Sequence, residues 1–183
     1  MALGDAPTHS LSQSATLYLA SYASTYANAR SGTGAVISDW GWVGQYFSGQ
    51  YEVNQVMVAF DTTVLPSEIA AASLVLTVEE SYGNTTVEVR EHDWPENASA
   101  FVPGAQLASK RLVGNAQVGP GGQRIVTIPL SAVSRQTPFK VVLTIADQTN
   151  NIAPTGDTTL LVTSARLDVT VASSRRIRVF SWL

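Results

Sequence analysis

The chain contains no cysteine among its 183 residues. Disulfides, thiolate zinc sites and cysteine nucleophiles are therefore excluded. Histidine is nearly absent, with only His9 and His92 present, which leaves little for a histidine-based metal centre or general base. Charge is scarce as well: charged residues make up 14% of the chain and the net charge is −3. That balance gives no electrostatic case for a nucleic-acid partner. No apolar run approaches the roughly 20 residues that span a bilayer, so no membrane partner is expected. The opening stretch Met1-Ala2-Leu3-Gly4-Asp5-Ala6-Pro7 lacks a basic region followed by an apolar run. The expectation is a chain without a signal peptide, made and kept soluble. No segment sustains a helical hydrophobic period, and no Gly-x-Ser-x-Gly elbow is present.

What the chain does have is apolar residues at 45%, enough to bury the core of one domain. Their spacing is that of strands. Val56, Val58 and Phe60 alternate along 55–60, and Leu74, Leu76 and Val78 along 72–79. Val87 and Val89 follow Ser81-Tyr82-Gly83-Asn84, which predicts a hairpin. Further strands are predicted over 106–113, 123–128, 158–163 and 166–171, with 139–145 as an apolar, central strand. Ser67 is placed to cap a helical turn, and 131–135 reads as another. Residues 21–34 read as a loop because Ser, Thr, Gly and Asn dominate. About ten short strands separated by turn signals predict an all-β, antiparallel β-sandwich of jelly-roll-like form in a single domain. The predicted organisation is a flexible arm over 1–14, the sandwich over 15–171, and a C-terminal docking strand or tail over 172–183.

Several spacings then fall in a recognisable order. Phe60-Asp61 ends a strand, Leu65-Pro66 makes a turn, and Ala72-Ser73-Leu74-Val75-Leu76 starts the next strand. Asp93-Trp94-Pro95-Glu96 follows, then Phe101 and Pro103. In this order the chain resembles the DNRLRE-type domains, β-sandwich modules of large microbial surface proteins that are similar in fold to carbohydrate-binding modules. Two departures are plain: Phe101 stands where that family often has tryptophan, and Ala59 where a basic residue is common. The resemblance spans about 15–171. It implies a fold and a style of binding, with no catalytic residues to carry over, and it implies that Trp94 sits at the edge of the core.

The aromatic segment Trp40, Trp42, Tyr46, Phe47 and Tyr51 is the candidate contact surface, since exposed aromatics stack on sugar rings and anchor interfaces. The alternative is that Trp40 and Trp42 close one end of the core. Glu79, Glu80, Glu91, Asp93 and Glu96 supply carboxylates of the kind glycosidases pair, but paired acids at strand ends are more often solvated. Asp93 and Glu96 also offer oxygen ligands for Ca2+, although their spacing is not that of an EF-hand loop. No cofactor is otherwise expected. His92 reads as a histidine in a polar loop. Asn84 and Asn97 head glycosylation-type triplets, which without a signal peptide read as coincidence.

After Val171 the chain alternates basic and apolar residues. Arg176, Ile177, Arg178, Val179, Phe180, Trp182 and Leu183 would be a liability as a free tail in water. They are expected to pair in cis with the sandwich or in trans with a neighbouring subunit. Together these features predict a non-enzymatic assembly component. The first expectation is a bacteriophage virion protein assembled in the host cytoplasm: a minor tail, tail-tip or capsid-decoration subunit that binds other virion proteins or copies of itself, with a cell-surface glycan as a further partner. The alternative is a carbohydrate-binding module of a bacterial surface, secreted or polysaccharide-degrading protein. A polysaccharide-cleaving enzyme would need an acidic pair, with Glu91 and Asp93 as its candidates.

Overall fold

A computed structural model describes residues 7–65, 68–135 and 137–172. In chain order the strands are β1 (Thr8–Ser12), β2 (Ala15–Ala23), β3 (Ala35–Ile37), β4 (Trp42–Phe47), β5 (Tyr51–Phe60) and β6 (Ile69–Ser81). They continue with β7 (Thr85–Glu91), β8 (Leu112–Val118), β9 (Arg124–Leu130), β10 (Phe139–Ile145) and β11 (Leu160–Val171). Three short helices, α1 (Tyr26–Ser31), α2 (Gly104–Leu107) and α3 (Ala146–Thr149), lie between them.

The chain is an all-β, antiparallel, sandwich-like single domain whose strands join into one nearly closed sheet. One layer runs β1-β11-β6-β9 and the other β8-β7-β10-β5-β2-β3. β4 belongs to both. Trp42 and Val43 pair with Leu161 and Leu160 of β11, whereas 44–47 pair with 54–51 of β5. The crossing happens at Gly44, whose φ is +124°. A Cβ there would stand 2.3 Å from the Thr158 carbonyl oxygen, so no larger residue fits the bend without moving the 158–159 backbone.

β5 shows why two cores form. Val56, Val58 and Phe60 point between the layers, where they meet Leu74, Leu76, Val87, Val89, Leu143 and Leu167. Val53, Met57 and Ala59 point the other way into a second core with Trp94, Phe101, Leu107 and Ala29. The segment between β7 and β8, together with α1, covers the outer face of that layer. β5 is therefore buried on both faces, each fully buried Val, Met or Phe contributing about 1.5–3 kcal/mol.

The strands over 55–60, 72–79 and 139–145 fall where the alternation predicts them. Other expectations are corrected. First, β6 and β7 are not a hairpin: β6 pairs with β9 and β11, β7 with β8 and β10. The backbone that would close the turn is engaged elsewhere, since Ser81 exchanges two hydrogen bonds with Gly121 and the Tyr82 N–H donates to Thr159 O at 2.8 Å. Second, residues 106–113 are not one strand, because α2 follows Pro103 and β8 begins only at Leu112.

Third, 131–135 forms no helical turn; the Ser131 N–H donates to Val113 O at 2.7 Å and brings β9 to β8. Fourth, the two last predicted strands are a single β11 with register shifts near Val162. Fifth, Thr8–Ser12, expected in a flexible arm, pairs along β11. The loop reading of 21–34 also missed α1, which Thr25 caps by accepting the Asn28 N–H and which ends at Gly32 with φ +76°. The helical turn expected at Ser67 lies outside the described residues.

Candidate functional site

The aromatic segment does not stay together. Trp40 precedes β4 and is 64% exposed. Phe47 lies on the outer side of β4 and packs on its cross-strand partner Tyr51, with ring centroids 4.7 Å apart. Tyr51 in turn meets Tyr26 of α1 at 5.7 Å. Trp42 and Tyr46, from the two halves of β4, line one pocket of about 340 Å³. This pocket lies at the end of the core between the layers.

Its remaining walls were not legible as a site. Tyr82 follows β6, and its ring lies 6.1 Å from that of Trp42, inclined by 35°. Glu52 and Asn54 of β5 form the floor, and Asp157 and Thr159 close the side next to β11. Glu52 and Asn54 continue the face that carries Val56, Val58 and Phe60. Two polar residues on an otherwise apolar face were the available signal.

Glu52 sits at the centre of a three-strand row, with Tyr22 of β2 and Tyr46 of β4 as its direct neighbours. Asn54 donates Nδ2–H to Glu52 Oε1 at 2.9 Å. The Tyr46 hydroxyl donates to the same carboxylate, and this bond together with burial pushes its pKa up to about 12. Burial, reinforced by Glu52, raises Tyr22 as well. Opposite, the Asp157 carboxylate accepts from the Thr159 N–H at 2.9 Å and from the Thr159 hydroxyl at 2.5 Å.

The fully buried Gln148 holds the floor against β4. Its Nε2 donates to Gly44 O at 2.6 Å and to Asn54 O at 3.2 Å, while its Oε1 accepts from Thr144. These bonds tie the last pair of the β4–β5 ladder, Gly44 and Asn54, to α3. On the other side of β4, Gln45 accepts from the Tyr26 hydroxyl at 2.7 Å and donates to Ile152 O at 2.7 Å. The pocket is thus built on anchored backbone.

The other candidates are dispersed. Glu91 pairs with Arg111 at 3.5 Å and Asp93 with Lys140 at 3.1 Å, while Glu80 accepts from the Tyr82 hydroxyl at 2.8 Å. Glu96 is exposed. Among the described residues no three His, Asp or Glu side chains converge as metal ligands would. His92 Nε2 lies 3.1 Å from Ala100 O beside a cleft of about 570 Å³ that Lys110 and Lys140 also line. Burial holds the His92 pKa below the ordinary histidine range. Trp94 is buried in the second core, with the Lys140 ammonium 5.3 Å from its ring centroid.

The sequence matches no known family, and it has no significant match among curated proteins. Arg176, Ile177, Arg178, Val179, Phe180, Trp182 and Leu183 lie outside the described residues. The described chain stops beside β1, where the Val171 N–H donates to Pro7 O at 3.1 Å. The two ends of the described domain therefore lie side by side.

Proposed function

We propose that this protein is a non-enzymatic binding and assembly module of a bacteriophage virion, a minor tail, tail-tip or capsid-decoration subunit that holds a surface glycan in the pocket at β4. The observation that carries the reading is the union of Trp42, Tyr46 and Tyr82 over a polar floor. Aromatic faces stack on the apolar face of a sugar, and carboxylate and amide groups take up its hydroxyls. Anchoring by Gln148 and Gln45 favours binding, because a preformed site avoids ordering costs. The engaged carboxylates at Glu91 and Asp93 favour binding over hydrolysis.

The glycan part also draws on the resemblance to surface-protein sandwich modules, and the assembly part rests on the basic and apolar pattern after Val171. Neighbouring subunits are contacted through that segment. The carbohydrate-binding module of a bacterial surface protein shares the same pocket and remains the second reading.

Two measurements test the proposal. Binding to bacterial-wall glycans is expected to fall at least about tenfold in Trp42→Ala, and unchanged binding would remove the pocket from the account. The full chain is expected to form a defined oligomer, or to co-purify with virion proteins, and to lose this on deletion of 175–183. A monomer indifferent to the deletion would overturn the assembly role.

A further inference from the structure

The pocket at β4 has an electrostatic signature that stacking on a neutral sugar does not require. Two carboxylates, Glu52 and Asp157, line it together with Trp42, Tyr46 and Tyr82, and among the described residues no lysine, arginine or histidine does. Glu52 is only 9% exposed. Its desolvation cost is offset by the Asn54 amide and the Tyr46 hydroxyl, neither of which neutralises it. A carboxylate held away from water at the bottom of a cavity raises the local affinity for a cation. The rings act in the same direction, because the face of a tryptophan or tyrosine attracts a cation through its quadrupole. A uronic or sialic acid would meet the same field as repulsion.

Resting on the glycan reading above, we propose that the ligand presents a protonated amine: an unacetylated amino sugar whose ring stacks on Trp42 and Tyr82 and whose ammonium group faces Glu52 and Asp157. The pocket volume of about 340 Å³ accepts a sugar ring with its amine, at the small end of ligand sites. Tyr46 positions the Glu52 carboxylate, and Asp157 adds the second charge at the rim. The selectivity is one of charge, set by two carboxylates with no cationic side chain beside them among the described residues that line the pocket.

The test titrates the full chain calorimetrically with glucosamine oligomers, their fully N-acetylated counterparts and a uronic acid oligomer, below the pKa of the sugar amine. The amine oligomer is expected to bind at least about tenfold more tightly than the acetylated one, and the uronic acid oligomer not to bind. Asp157→Asn keeps an oxygen to accept the Thr159 bonds, so it should fold with an unchanged thermal midpoint. It should also lose most of the preference, as should Glu52→Gln. The preference should fade as the pH rises through the amine pKa.

Equal affinity for free and acetylated oligomers overturns the charge assignment and leaves the glycan reading standing. Binding of neither overturns both. Amine binding untouched by Asp157→Asn, Glu52→Gln and Trp42→Ala would be attraction to the acidic surface at large, and it overturns the site. Choline chloride separates a bare ammonium from an amino sugar: if it competes as well as the oligomer at equal concentration, the sugar assignment falls.

Discussion

The side chain of Gln55 exchanges two hydrogen bonds with the backbone of Val102: Nε2 donates to its carbonyl at 2.9 Å, and Oε1 accepts from its N–H at 2.9 Å. The amide imitates a strand partner for an irregular segment on the outer face of β5. Gln55→Ala therefore strands a buried N–H and a buried C=O and opens a cavity. The expected loss is about 2–4 kcal/mol, measured as a shifted urea midpoint. A loss below about 0.5 kcal/mol would mean that the second core stays in place without this clamp.

Gly44 and Gln148 make the sheet fork. Gly44→Ala places a side chain at φ +124° against the Thr158 carbonyl, and a loss above about 3 kcal/mol is expected. Gln148→Leu keeps the volume but leaves Gly44 O and Asn54 O without their donor, for about 2–4 kcal/mol. Chemical denaturation reads both variants, and ligand binding should weaken in any Gln148→Leu that still folds.

Glu88 and Arg90 form a nearly buried ion pair at 2.9 Å on the face of β7 turned away from the core between the layers. Arg90 also donates to Lys110 O at 2.8 Å, and Thr149 donates to Glu88 at 2.7 Å. Glu88→Ala leaves a desolvated guanidinium, an expected cost of about 3–5 kcal/mol. The double variant Glu88→Leu, Arg90→Met should recover much of that loss. A double variant no more stable than the single one would show that the hydrogen bonds to Lys110 and Thr149, not the charge pair, carry the stability.

His92 gives the fold a pH dependence of definite sign. Burial lowers its folded pKa beneath the unfolded value of about 6.5. The unfolded chain then binds the proton first as the pH falls. The stability contribution is complete above about 6.5 and is lost below it, through the folded pKa. Urea midpoints measured downwards from neutral pH should show this slope, and His92→Gln should flatten it. An NMR titration placing His92 at or above the ordinary histidine value would refute the account.

Strand positions were legible wherever one face of the pleat is apolar and the next residue points elsewhere. Val56, Val58 and Phe60, and Leu74, Leu76 and Val78, needed nothing beyond that period. The apolar block Phe139–Ile145 announced a strand buried on both faces. The turn signal at 81–84 misled, because it marks where the chain bends and not which strand it pairs with next. Ser81 found Gly121, forty residues on. α1 went unseen because its six residues are too few to establish a period, although Thr25 and Gly32 are ordinary cap residues.

The site divides along the same line. Aromatic residues near β4 were visible as a cluster in the chain, but β4 sends Trp42 and Tyr46 into a pocket, Phe47 to the outer face, and leaves Trp40 in solvent. Tyr82 and Asp157 joined them only through the sheet crossing, since both lie far from β4 in sequence.

By itself, the sequence determined the all-β class, the strands with strong alternation, and the exclusion of cysteine chemistry. Those properties follow from local period and residue type. Only the tertiary structure decided which strands are neighbours, that β4 joins both layers at Gly44, and that Glu52 and Asp157 face the same three rings. Pairing and convergence depend on backbone hydrogen bonds closed between residues far apart in the chain, and no local pattern encodes them.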